Sequence, residues 1–177
     1  MISRPAPPAL LLALLVASLT ACTFGFEPLE GGTAAGGGAV PAGDTATVVG
    51  VIDGDTIDVV QNGVTYRVRY VGVNTPERDE ICYGEATGAN AALVAGRTVT
   101  LVRDQSETDR FGRLLRFVYA DGVFVNAQLI REGWAEAVEY RPDTTQTGNF
   151  QALEREAAAQ GRGCHPTGIF DDGTATR

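Results

Sequence analysis

The residues with the clearest chemical potential are two aspartates in a short turn, Asp53-Gly54-Asp55, and a glutamate that closes Asn74-Thr75-Pro76-Glu77. Two arginines join them: Arg69, and Arg113 at the end of Asp109-Arg110-Phe111-Gly112-Arg113. Carboxylates near a hard cation, with arginines at separate places in the chain, suit a metal-assisted attack on a phosphodiester. The cation neutralises the phosphate, and the guanidinium groups meet the charge that builds as phosphorus becomes five-coordinate. Taken singly the pieces are bland, because Asp-Gly-Asp is a common turn and Thr-Pro-Glu a common helix start. Their joint order and spacing give them meaning.

In that order and spacing the chain resembles the thermonucleases, the staphylococcal nuclease-like family, over roughly Thr45 to Phe170. The match comprises the Ile52-Asp53-Gly54-Asp55-Thr56 turn, an arginine eight residues before the glutamate of a Thr-Pro-Glu motif, and a later Gly-Arg. The resemblance implies an α+β OB-fold, a five-stranded β-barrel with about three α-helices. It also implies a calcium-dependent endonuclease that cuts single-stranded or unpaired DNA and RNA at the 5′ P–O bond and leaves 3′-phosphate ends, acting as a monomer. Carried over by position, Asp55 is the first carboxylate ligand of Ca2+, Asp53 supports it from behind, and Thr75 lends its backbone carbonyl. Arg69 and Arg113 clamp the phosphate, and Glu77 orients or deprotonates the attacking water.

One position departs from the family pattern. The second acidic ligand falls on Asn74, whose neutral carbonyl oxygen can still face a hard cation but removes one negative charge. The expectation is weaker calcium binding, partly reversed by Asn74→Asp. Two other classes stay open: an OB-fold module, weakened in catalysis, that only binds nucleic acid, and a surface lipoprotein in which calcium stiffens a loop. Retention of Arg69, Glu77 and Arg113 favours the enzyme, since a pure binder needs no water-handling carboxylate.

Composition limits what can recruit the substrate. All 14 basic residues are arginine and the formal net charge is −8. The global field therefore repels nucleic acid, and attraction must come from a local patch. Eight arginines lie between Arg67 and Arg116. Most are expected on solvated faces beside nearby carboxylates, with Arg69 and Arg113 exempt and Arg110 as a helper in binding. Of the aromatics Tyr83, Phe111, Trp134 and Tyr140, an exposed stacking role is expected of Tyr140, while Phe111 and Trp134 are expected in the core.

The first 21 residues read as a lipoprotein-type signal peptide. Arg4 is followed by a short apolar run from Ala9 to Leu19, then by Leu19-Thr20-Ala21-Cys22, a lipobox-like triplet with its cysteine. Lipidation of Cys22 would anchor an exported protein at the outer face of a membrane. Residues 22–43, rich in glycine, form a tether of about 25 Å in a random-coil estimate, and the nuclease domain occupies 44–177. The two remaining cysteines, Cys82 and Cys164, are then expected as a disulfide. A zinc site built from them and His165 lacks both ligands and spacing.

The elements that must hold the site follow from periodicity. Strands are predicted over Thr45–Ile52, Thr56–Val60, Val64–Val73, Arg97–Arg103 and Leu114–Tyr119, with Asn62-Gly63 and Asp121-Gly122 as turns. Helices are predicted over Gly84–Ala95 and Val125–Glu132, with a last one burying Phe150, Leu153 and Ala157. Arg67 and Arg69 share a strand face, so Arg69 can aim at the site alone only if the strand twists between them.

Overall fold

The computed structural model describes Met1, residues 39–171 and Gly173. Of the segment expected to be a signal peptide only Met1 is described, and Cys22 and most of the expected tether lie outside the described residues. Among those described, no helix is long and apolar enough to cross a membrane.

Five strands form the barrel: β1 (Asp44–Val51), β2 (Thr56–Gln61), β3 (Val64–Tyr70), β5 (Thr98–Val102) and β6 (Leu114–Ala120). A two-residue strand, β4 (Val73–Asn74), and helix α1 (Tyr83–Val94) lie between β3 and β5. The spatial order is β3-β2-β1-β5-β6, and a parallel pairing of β3 with β6 closes the circuit. The β3–β6 pairing covers Val68–Tyr70 and Leu114–Arg116, so the barrel is closed over part of its height, as in the partly open OB-fold. The β2–β3 hairpin turns at Asn62 and Gly63, both at positive φ, the geometry that makes Asn-Gly a strong hairpin signal. Its register sets Thr56 opposite Arg69 and Asp58 opposite Arg67.

Alternation buries one face of each strand. Val48, Ile57, Val59, Val68, Leu101 and Val118 fill the interior. The remaining elements are β7 (Val123–Phe124), α2 (Val125–Arg131), β8 (Glu136–Ala137) and α3 (Thr147–Ala159), then a 3-10 turn at His165–Thr167. Asn126, fully buried near the start of α2, ties that helix to the barrel. Its Oδ1 accepts from the Val118 amide and its Nδ2 donates to the carbonyl of Val71. Phe150 of α3 packs edge-on to Phe117. Cys82 and Cys164 form a disulfide that fastens the chain before α1 to the chain after α3.

Two expectations need correction. Phe111 is 68% exposed, because it sits at the tip of a turn where no second layer covers it. Arg116 is buried, not solvated: it lies on the inner side of β6 and satisfies its guanidinium on Glu107, through both the carboxylate and the backbone carbonyl. The β4–β8 ladder, Asn74 opposite Glu136, is too short to leave a periodic signal.

Candidate active site

The site begins where β1 passes into β2. Asp53 Oδ1 accepts the backbone N–H of Asp55 at 3.0 Å, which fixes the turn. Gly54 lies against Thr75 so closely that a Cβ there would stand 2.7 Å from three Thr75 side-chain atoms. Helix α1 braces the turn from the other side. Asn90 donates to the Asp53 carbonyl at 2.9 Å and accepts from the Tyr70 hydroxyl at 2.9 Å, while Tyr83 donates to the Ile52 carbonyl at 3.3 Å. Burial pushes the Tyr70 phenol far above its usual range, so this hydroxyl stays a donor.

Asp55 is buried and heavily engaged. Its Oδ2 accepts from the Thr75 amide at 2.9 Å and the Thr75 hydroxyl at 3.1 Å, and pairs with Arg69 Nη1 at 2.9 Å. Its Oδ1 accepts from the Thr56 hydroxyl at 3.1 Å. Burial pushes the Asp55 carboxyl up to about 6, with the Asp53 charge acting in the same direction and Arg69 and Thr75 opposing. The buried anion is therefore short of positive charge despite its arginine.

Arg69 is 7% exposed. Arg67 does not accompany it: that residue is exposed and makes a bidentate pair with Asp58 across the hairpin at 2.9 and 3.0 Å. Nη1 of Arg69 donates to the carbonyls of Tyr70 and Val73 and stands in an ion pair with Asp55, and Nη2 donates to Asn74 Oδ1 at 3.3 Å. A guanidinium has five N–H donors. This pattern leaves Nε–H and one Nη2 hydrogen for a group in the cleft.

Arg113 is presented by a self-bonded turn. Asp109 Oδ1 accepts the backbone amides of Phe111 and Arg113, and Oδ2 accepts Arg113 Nε at 2.7 Å. The guanidinium groups of Arg110 and Arg113 lie 4.7 and 5.5 Å from the Phe111 ring centroid. Stacking of this kind stiffens long cationic side chains.

These pieces meet in one open cleft of about 500 Å³, where Asp53, Asp55, Glu77 and Asp109 face Arg69, Arg110 and Arg113. Phe111 and Tyr140 line it too, Tyr140 at 38% exposure. Glu77 is exposed, and its backbone amide donates to Glu80 at 2.7 Å. Tyr83 and Trp134 lie elsewhere: Tyr83 serves the Ile52 carbonyl, and Trp134 packs on the core with its indole N–H on Glu132. Sequence reasoning missed Asn90, the Thr75 hydroxyl and Glu136. Only Asn90 left a trace, as a lone amide in an alanine-rich helix.

The donor set suits a hard cation held with help from water. Asp55 keeps lone pairs on Oδ1 and needs positive charge, and Asp53 lies in the same cleft. Among the described residues no three acidic, histidine or cysteine side chains cluster tightly enough to hold an ion. A hard cation beside Asp55 would complete its shell with carbonyl oxygens and water. Asn74 gives its Oδ1 to Arg69 and its Nδ2 to Glu136 at 2.8 Å.

Comparison with known proteins supports the same picture. The model of a family described as staphylococcal nuclease homologue matches residues 67–164. The chain is 42% identical over 114 residues to endonuclease YncB of Bacillus subtilis, covering 60% of this chain and 54% of that protein. It is 40% identical over 118 residues to an uncharacterized endonuclease of Escherichia coli O157:H7, covering 66% and 73%. It is 33% identical over 155 residues to the thermonuclease of Staphylococcus hyicus, covering 84% and 88%. The chain thus spans about half the length of the first of these relatives and most of the last.

Proposed function

The chain belongs to the staphylococcal nuclease homologue family, and from that premise we propose that it is a calcium-dependent endonuclease. It hydrolyses phosphodiester bonds of single-stranded or unpaired DNA and RNA and leaves 3′-phosphate ends. The observation that carries this reading is the meeting of Asp55, Arg69, Glu77 and Arg113, the first and last 58 positions apart in sequence, on one cleft.

Asp55 with the Thr75 carbonyl would hold Ca2+, with Asn74 sharing its amide oxygen between the ion and Arg69 and Asp53 keeping Asp55 in place. When bound, the ion supplies charge neutralisation of the scissile phosphate. Arg69, through its uncommitted Nε and Nη2 hydrogens, and Arg113, through the guanidinium edge left by Asp109, donate to the phosphate oxygens. These donors act most strongly on the five-coordinate transition state. Glu77 faces the cleft from an exposed position, so it can orient a water molecule and take its proton as the oxygen adds to phosphorus. The P–O5′ bond then breaks with its electron pair on O5′, which takes a proton from solvent water and leaves as a 5′-hydroxyl. Arg110, with Tyr140 at the cleft, guides the strand and stacks on bases. The cleft sets four carboxylates against three arginines, so in a chain of net charge −8 attraction of the phosphates depends on those arginines together with a bound cation.

The test is digestion of single-stranded DNA and RNA by the full chain in calcium and in chelator, with the product ends examined. Cleavage only in calcium, giving ends a polymerase extends only after phosphatase treatment, is expected. Binding without cleavage would instead identify a nucleic-acid-binding module. The reading includes export, with Cys22 lipidated at the membrane and the domain acting as a monomer. Intact mass of protein from its native membrane checks this, since an unmodified Cys22 would contradict it.

A further inference from the structure

Glu136 stands 62 residues from Asn74 in sequence, yet the two are direct partners in the β4–β8 ladder. Both are buried, at 8% and 1% exposure. Glu136 Oε1 accepts from Asn74 Nδ2 at 2.8 Å, Asn74 Oδ1 accepts from Arg69 Nη2 at 3.3 Å, and Arg69 Nη1 pairs with Asp55 at 2.9 Å. The four side chains form one line of donors and acceptors, ending at the carboxylate at the heart of the site.

The middle link has two possible orientations. A primary amide carries an acceptor on one side and two donors on the other. A carboxylate can only accept, so it selects the N–H side of Asn74, and the oxygen is thereby turned toward Arg69. Were position 136 unable to accept, the amide would lose the partner that selects its N–H side, and rotation would set an N–H against the guanidinium, donor against donor. Arg69, which lines the cleft, would lose its Nη2 anchor and with it the fixed pose of its two uncommitted N–H groups.

We propose that Glu136 is a positioning residue for Arg69, acting through the orientation of the Asn74 amide. The inference rests on the nuclease reading for its catalytic consequence but not for its structural one. It also alters the expectation for Asn74→Asp. That change alone would set two carboxylates at hydrogen-bond distance in a buried place, so positions 74 and 136 must change together. Glu136→Gln supplies a donor for an aspartate at 74.

The experiment uses four forms of the full chain besides wild type: Glu136→Gln, Glu136→Leu, Asn74→Asp and the double variant Asn74→Asp/Glu136→Gln. Melting temperature is read in chelator, and kcat and KM on single-stranded DNA in calcium. Glu136→Gln, which still offers an acceptor, should lose no more than a few-fold in kcat. Glu136→Leu should lose about 100-fold in kcat, the scale of a misplaced catalytic group, with KM little changed. In chelator, Asn74→Asp should melt well below wild type, and adding Glu136→Gln should restore most of the loss although Glu136→Gln alone does not stabilise. A folded Glu136→Leu form with wild-type kcat, or strictly additive melting shifts, would overturn the proposal. Coupled melting shifts in a wild-type chain that cuts nothing would support the Glu136–Asn74 link and overturn the nuclease reading instead.

Discussion

Asp109 holds Arg113 at both ends: one carboxylate oxygen accepts the arginine's backbone amide at 3.0 Å and the other its Nε at 2.7 Å. A single side chain thus shapes the turn and aims the guanidinium that the turn presents. The arrangement explains why Arg113 can act from a loop, where an unsupported arginine would sample many rotamers.

Asp109→Ala should therefore damage catalysis more than stability. The pair is partly exposed, so about 1 kcal/mol of stability is expected to go, against a fall in kcat of about 10- to 100-fold from the freed arginine. Burial tends to raise the Asp109 carboxyl, but hydrogen bonds from Arg113 and Phe111 outweigh it and hold the group below its usual range. A depressed carboxyl stabilises the fold above its unfolded pKa and loses that contribution as pH falls through the folded one. Melting curves between pH 7 and pH 2 should show the wild-type advantage over Asp109→Ala vanishing only below about pH 4.

Gly54→Ala tests the close approach of the acidic turn to Thr75. The new methyl would meet Thr75 at 2.7 Å and must push it away from Asp55, which takes two of its hydrogen bonds from that residue. A loss of about 1–3 kcal/mol is expected, as for other overpacked sites, together with a raised calcium requirement. Denaturant melts in chelator and calcium titrations of activity check the two effects. A variant with unchanged stability and unchanged calcium dependence would mean that the Gly54–Thr75 contact is not fixed in solution.

Much of the barrel was legible because strand periodicity and turn chemistry agree along the chain. Asn62-Gly63 announced its hairpin, and each predicted strand falls on an observed one within a few residues. The carboxylates and arginines of the cleft were legible because they recur as short motifs. What supports them was not. Asn74 and Glu136 meet through a ladder two residues long, below the length at which alternation is detectable. Phe111 was misjudged because hydrophobic identity alone says nothing about whether a layer covers a turn tip, and Arg116 because an inward charge is readable only from the partner that satisfies it.

The disulfide carries a third expectation. Cys82 and Cys164 are 82 residues apart, and chain-entropy arithmetic for such a loop gives a stabilisation of about 4 to 5 kcal/mol at most. Because α1 starts beside Cys82 and its Asn90 braces the Asp53 carbonyl, the paired change Cys82→Ser/Cys164→Ser should lower the melting temperature and also raise the calcium needed for half-maximal activity. Calorimetry alongside a calcium titration checks this. A large stability loss with an unmoved titration would show that α1 holds the turn without help from the disulfide.

The central claim is that Arg69 and Arg113 serve the transition state and do not merely bind nucleic acid. Lysine keeps the charge but loses the planar fork, and here it also loses the Nε that Asp109 holds. The most direct measurement is kcat for Arg113→Lys on single-stranded DNA in calcium, with the dissociation constant for the same strand measured in chelator. A fall in kcat of about three orders of magnitude or more with nearly unchanged binding is the expected result. Near-normal turnover would contradict the account and return Arg113 to an ordinary surface arginine.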